Sequence, residues 1–206
     1  MRHHLWKTPA LTALIVVGSL TLAACSDDDA MPGMNHGAPS AGTSTTPAAG
    51  FNDADVTFAT QMIPHHQQAV QMSEMAGYTA TTPEVKKLAT AIKAAQDPEI
   101  KTLSGWLTSW GKPVPTPSHG GHDMTDMPGM MTEEEMSDLG NTDGALFDRM
   151  WIEMMIKHHK GAITMAKTEQ ASGKDAAAIA LAKKIETDQT REIATLQRLL
   201  GRLPIG

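Results

Sequence analysis

The chain is short of thiols: a single cysteine, Cys25, stands in 206 residues. One cysteine cannot close a disulfide within the chain, so no covalent staple holds the fold. Positive charge is also scarce, with 17 Lys and Arg against 23 Asp and Glu, a formal net charge of −6. An acidic chain lacks the basic face that nucleic acid requires, so no nucleic-acid partner is expected; cations and good solubility fit better. Long apolar runs are missing too. Residues 11–22 are the longest, too short to span a bilayer comfortably as a permanent helix.

That short run has another use. Arg2 and Lys7 precede it, and Leu22-Ala23-Ala24-Cys25 follows, the layout of a secretory signal ending in a bacterial lipobox. Cleavage before Cys25 and acylation of its sulfur and amine would give stable membrane anchorage through more than one acyl chain. The alternative is an ordinary signal peptide with a stray cysteine. Losing residues 1–24 removes two basic and no acidic residues, leaving 15 against 23 and a formal charge of −8. The expected location is extracytoplasmic, lipid-anchored to a bacterial membrane at the cell surface or in the periplasm. With Cys25 lipidated, a soft metal in that oxidising compartment has only Met and His to bind it.

What the chain does have is a repeat. Met62-Ile63-Pro64-His65-His66 returns 93 residues later as Met155-Ile156-Lys157-His158-His159. The same offset pairs Asp55 with Asp148, Ala69 with Ala162 and Met72 with Met165. Further on it pairs Leu88 with Leu181, Ile92 with Ile185, Gln96 with Gln189, Glu99 with Glu192 and Leu103 with Leu196. No gap is needed, which marks a duplicated helical hairpin. On a helical wheel, Asp55, Met62, His65, His66, Ala69 and Met72 share an arc of about 120°, the width of one core-facing stripe, and Ile63 falls off it.

The domain plan follows: a signal at 1–24, a lipidated cysteine and flexible linker at 25–50, and a bundle at 51–206 made of a hairpin (51–111), a crossover (112–144) and a second hairpin (145–206). Asn52 or Asp53 caps the first helix, which is expected to stop at Gly77. Thr82-Pro83 starts the second helix, which is expected to end at Gly111. Pro64 and Pro98 fall inside helices, but Lys157 and Arg191 stand at those places in the gap-free second copy, so kinked, continuous helices are expected. Thr132-Glu-Glu-Glu135 is a capping-box signature for a short helix. Helix three is expected from about Asn141 to Ala171, and helix four from Asp175 to Leu200.

In each second helix a glutamate, Glu99 or Glu192, stands in the apolar stripe where a Leu would be expected. Antiparallel pairing sets Gln96 level with His65 and Glu99 level with Met62, and likewise Gln189 with His158 and Glu192 with Met155. Two readings fit such convergence: histidines satisfied by neighbouring Glu and Gln within the core, or a metal site. The crossover adds His119, His122, Met124, Met127, Met130 and Met131, and Met127-Pro-Gly-Met130 echoes Met31-Pro-Gly-Met34. With signal removed, 14 Met and seven His stand beside one Tyr. Core methionine is commonly adaptable packing, but linker methionines are expected to have no core to fill and to collect soft metal loosely. Bundles that hold di-iron sites use two Glu and two Glu-x-x-His elements. Here Met62-x-x-His65 and Met155-x-x-His158 replace the latter, which shifts preference from iron towards copper(I) or silver(I).

The stretch Phe58-Ala-Thr-Gln-Met-Ile-Pro-His-His-Gln-Gln-Ala-Val-Gln-Met72, and that from Phe147 through His158-His159-Lys-Gly-Ala-Ile-Thr-Met165, closely resemble the signature of domain-of-unknown-function family 305. The resemblance covers about residues 51 to 203. It implies an all-α, ferritin-like four-helix bundle of two duplicated helical hairpins with a long crossover, exported from bacterial cells, with some members linked to copper binding and resistance. It also implies Met62, His65, His66 and Met72 as functional positions of the first copy, and Met155, His158, His159 and Met165 of the second. Lys157 departs from the proline usual at its place. Three functions stay open: a copper-buffering or copper-sequestering protein, with Glu99 and Glu192 orienting or ligating; a ferritin-type oxidase or copper redox enzyme, for which no substrate pocket is recognisable; and a non-catalytic interaction module whose polar core sets helix register. No protein partner can be named from the residues.

Overall fold

In the computed structural model the described residues are 50–116 and 127–204, and they contain helices and no strand. The order is α1 Asp53–Thr79, α2 Pro83–Ser109, α3 Glu133–Gly140, α4 Gly144–Ser172 and α5 Ala176–Leu200. No helix among the described residues is long and apolar enough to cross a membrane. The leader, Cys25, the first linker and His119, His122 and Met124 lie outside the described residues.

Local chemistry explains the boundaries. Asn52 Oδ1 accepts from the Ala54 and Asp55 amides, and Asp55 Oδ2 accepts the Asn52 N–H at 2.6 Å, a reciprocal capping box. α1 runs past the expected stop at Gly77 and ends at Thr79, because the Ala80 N–H still finds the Ala76 carbonyl. Glycine permits a helix to end but does not impose it. Pro83 opens α2 behind Thr82. α2 ends at Ser109, two residues before the glycine expected to close it. Gly111 takes φ +67, and the Lys112 N–H reaches the Leu107 carbonyl at 2.8 Å, a Schellman-type close. Pro64 and Pro98 lie within uninterrupted helices. Thr132 and Glu135 form the expected capping box of α3. α4 starts at Gly144, three residues after the expected Asn141, and Asp175 caps α5 as foreseen, accepting from Ala177 and Ala178.

The four long helices make two hairpins, α1 with α2 and α4 with α5, and the hairpins meet chiefly through α1 against α4. The buried interior divides into two apolar clusters. One gathers Met72, Ala76, Ile92, Phe147, Trp151 and Met155; the other gathers Phe58, Met62, Ile63, Leu103, Ala162, Met165 and Ile185. Ile63, off the expected stripe, is buried. A helix pressed by neighbours on two sides buries more than one stripe.

The repeated aspartates staple the hairpins to each other. Asp148 on α4 accepts from the amides and hydroxyls of Thr81 and Thr82 in the α1–α2 turn, at 2.5–3.1 Å. Asp55 on α1 accepts from the amides of Lys174 and Asp175 in the α4–α5 turn. Those turn residues are themselves 93 positions apart, so the exchange follows the internal twofold of the duplication. It leaves α1 and α4 locked in register, and that places the histidines.

Candidate metal centre

Consecutive helical residues point about 100° apart, so each His-His pair splits between two neighbours. His65 and His158 face each other across the α1–α4 contact with ring centroids 3.7 Å apart. His66 turns to α2, where its Nε2 meets Glu99 Oε2 at 2.9 Å; His159 turns to α5, where its Nε2 meets Glu192 Oε2 at 2.6 Å. All four histidines are fully buried. They form a polar layer across the bundle, Glu99–His66–His65–His158–His159–Glu192. Glu99 thus pairs with His66, one turn from Met62, the residue it was expected to face.

The hydrogen bonds decide which ring nitrogens remain. A carbonyl oxygen can only accept, so the 3.1 Å contact from His65 Nε2 to Pro128 O places the proton on Nε2. The carboxylates likewise accept a hydrogen bond from Nε2 of His66 and His159. Nδ1 of all three has no partner among the described residues, and neither nitrogen of His158 has one. Five buried ring nitrogens are orphaned in one layer, together with both amide atoms of Gln96 and Oε1 of Gln189. Buried polar atoms are nearly always paired, since leaving one unmet costs about 1–3 kcal/mol. The core-only expectation is half met: Glu99 and Glu192 pair with His66 and His159, whereas Gln96 and Gln189 do not satisfy the histidines.

Charge follows burial. Desolvation pushes His65 down to about 3, helped by His66 and His159 and opposed by the Pro128 hydrogen bond. His158 is pushed well below its ordinary value by burial first, then by His65 and His159. Burial pushes Glu99 up, but hydrogen bonds with His66 and Lys184 outweigh it and hold Glu99 below its usual range. Buried rings with unpartnered Nδ1 atoms, two of them backed by carboxylates at Nε2, have the form of oriented metal ligands.

Thioethers flank the layer. Met62 and Met165 belong to one apolar cluster, Met72 and Met155 to the other, and all four are buried. The cluster membership pairs methionines across copies, where the sequence grouped them within copies. Among the described residues no three His, Asp or Glu side chains stand together as a ready cage. A hard ion seeking many oxygens has no set waiting here. A soft monovalent ion needs only two or three ligands and accepts both imidazole and thioether, so the donors present fit copper(I) or silver(I) and fit iron poorly.

The crossover methionines correct an expectation. Met127, Met130 and Met131 are buried, and Met131 joins an apolar cluster. The strap 127–131 lies against α1 and α4, with Gln68 bonded to both the amide and carbonyl of Met131 at 2.8 and 2.9 Å. It can approach because two glycines meet: a Cβ on Gly161 would lie 1.8 Å from Pro128 O, and one on Gly129, at φ +78, 2.6 Å from Lys157 O. These methionines do have a core to fill. Sequence reading missed Gly161, Gln68 and Lys184; the only signal was that each breaks the repeat, facing Gln68, Gly161 and Ala91 of the other copy.

Similar proteins have been solved. A DUF305 protein from Streptomyces coelicolor, designated secreted, is 33% identical with TM-score 0.65, covering 72% of this chain and 92% of that one. A DUF305 fragment from Deinococcus radiodurans is 28% identical with TM-score 0.67, covering 74% and 98%. CopM, solved bound to Cu(II), is 34% identical with TM-score 0.62, covering 71% and 95%, and it has also been solved with Cu(I) and with Ag. No curated protein sequence matches the chain. Residues 55–200 match the family described as Domain of unknown function (DUF305). By that match and by its likeness to these helical bundles, the chain belongs to the DUF305 family.

Proposed function

We propose that the protein binds and sequesters copper(I), or silver(I) in its place, outside the cytoplasmic membrane. The observation that carries the reading is the layer of four buried histidines with five ring nitrogens that have no partner among the described residues. His65, His66, His158 and His159 would hold the ion, joined by Met62, Met72, Met155 and Met165 from the flanking clusters. Glu99 and Glu192 orient His66 and His159 through Nε2. The copper- and silver-bound forms of CopM support the choice of metal. The lipobox at Cys25 supports a membrane anchor, and His119, His122 and Met124 in the crossover are further soft donors by their chemistry.

Titration of the full chain with Cu(I) under a competing chelator tests this. Changing the four histidines to Ala abolishes tight binding if the layer is the site; unchanged stoichiometry and affinity would sink it. One observation favours a second reading: His66–Glu99 and His159–Glu192 tie the two helices of each hairpin together, as a register-setting core would. That reading requires a chain whose melting temperature does not move with added metal.

A further inference from the structure

The duplication builds two His–Glu pairs, yet the structure leaves them unequal. Each glutamate gives one oxygen to its histidine. The other oxygen of Glu99 accepts from Lys184 Nζ at 2.8 Å, and Lys184 is steadied in turn by Asp188 at 3.1 Å. The other oxygen of Glu192 has no partner among the described residues, and the Glu192 side chain is 21% exposed against 10% for Glu99. The repeat explains the difference. The positions matching Lys184 and Asp188 in the first copy are Ala91 and Ala95, so no ammonium reaches across to Glu192.

We propose that Lys184 is a positioning residue that closes the first pair, so that a soft monovalent cation enters the bundle at Glu192 and His159. The inference rests on the copper or silver reading given above and says which half receives the ion. An ammonium on Glu99 acts in two ways. It occupies the oxygen that a hydrated cation would approach first, and it repels that cation by its own charge. Asp188 offsets part of this charge, but Asp188 is also shared with Arg191 at 3.5 Å. One moderately screened unit charge close to the path shifts occupancy by about tenfold. On the Glu192 side no Lys or Arg is paired with the carboxylate among the described residues, and His159 Nδ1 lies buried behind it. From there His158 is the next ring inward, with centroids 6.4 Å apart, and His65 follows at 3.7 Å. The layer then forms a path of nitrogens leading away from the open end.

The test is a silver nitrate titration of the full chain carrying 15N-labelled histidine, in chloride-free buffer, read by the ring nitrogen resonances. Silver(I) needs no reductant and stays in one oxidation state. The expected result is that His159 shifts at about tenfold lower free silver than His66. In Lys184→Ala the two histidines titrate together, and in Ala91→Lys the lead of His159 shrinks. Lys184 is exposed enough that its loss does not threaten folding, and a merely structural role for it would not reorder the histidines. Simultaneous shifts of His66 and His159 in the unaltered chain would overturn the role of Lys184 and leave the metal site standing. An order unaffected by Lys184→Ala would do the same. No histidine shift at any silver concentration would remove the metal site itself, and the inference with it.

Discussion

His65 and His158, 93 residues apart in the chain, bring their rings to a centroid distance of 3.7 Å on the internal twofold of the bundle. Both are uncharged, and between them they leave three ring nitrogens unmet. A bound ion would satisfy such atoms, so metal should stabilise the fold. At a hundredfold excess of free metal over Kd, binding adds about 2.7 kcal/mol. Differential scanning calorimetry should show a rise in Tm on adding silver(I), reversed by a chelator, and no rise in the variant carrying His65→Ala and His158→Ala.

Gly161 is where the strap touches α4. Gly161→Ala would drive a methyl group into the Pro128 carbonyl, 1.8 Å from the Cβ position. Overpacking of this kind costs about 1–3 kcal/mol, and here the strap can move aside instead of the helix. The expected outcome is that Met127 and Met130, now 9% and 7% exposed, become sensitive to dilute peroxide. Peptide mass spectrometry over a time course measures this; equal oxidation rates in the two proteins would show that the strap does not depend on that contact.

Asp148 carries the α1–α2 turn on four hydrogen bonds. Asp148→Ala would remove the acceptor shared by the Thr81 and Thr82 amides and hydroxyls and should destabilise the fold by about 2–4 kcal/mol. Urea unfolding checks it. Asp55→Ala, its counterpart at the α4–α5 turn, should cost a similar amount, because it loses the Lys174, Asp175 and Asn52 amides.

Glu169 sets a pH dependence. It is buried beside Asp55, and burial, then the hydrogen bond and charge of Asp55, raise it from 4.5 to about 8. Burial also pushes Asp55 up, but hydrogen bonds from Glu169 and from the Asn52, Asp175 and Lys174 amides outweigh it and hold Asp55 below its usual value. The folded state therefore holds a proton on Glu169 that the unfolded chain releases between about pH 4.5 and 8. Stability from this group is complete below that window and is lost as pH rises through it. Glu169→Gln keeps the hydrogen bond to Asp55 without the titration. It should match the parent in urea unfolding at pH 5 and exceed it at pH 8.5; parallel pH profiles would exclude the shared proton.

The helices and their pairing were legible before any coordinates. Asn52, Thr82-Pro83, Thr132 with Glu135, and Asp175 are local signals, and each begins a helix where its chemistry says it should. The wheel also placed Asp55, Met62, His65, His66, Ala69 and Met72 on the buried side, because one period governs the whole stretch. Glycine misled at Gly77. A stop depends on whether the next amide has an acceptor, and that is a property of the turn beyond it.

The partners inside the core were not legible. Periodicity gives the face a residue lies on, but the helix opposite depends on how α1 and α4 slide past each other. The crossed staples from Asp55 and Asp148 decide that slide, and so they decide that His65 meets His158 while His66 meets Glu99. The strap and Lys184 lay further out of reach. Their neighbours are distant in sequence, and they sit where the two copies differ. By itself the sequence determined a duplicated all-helical bundle with paired histidines on its buried faces, because repetition, capping and hydrophobic period act over a few residues at a time. The tertiary structure alone decided which nitrogens are left free, which carboxylate is closed by an ammonium, and what covers the site. Those properties depend on distances of about 3 Å between groups that only the packed fold brings together.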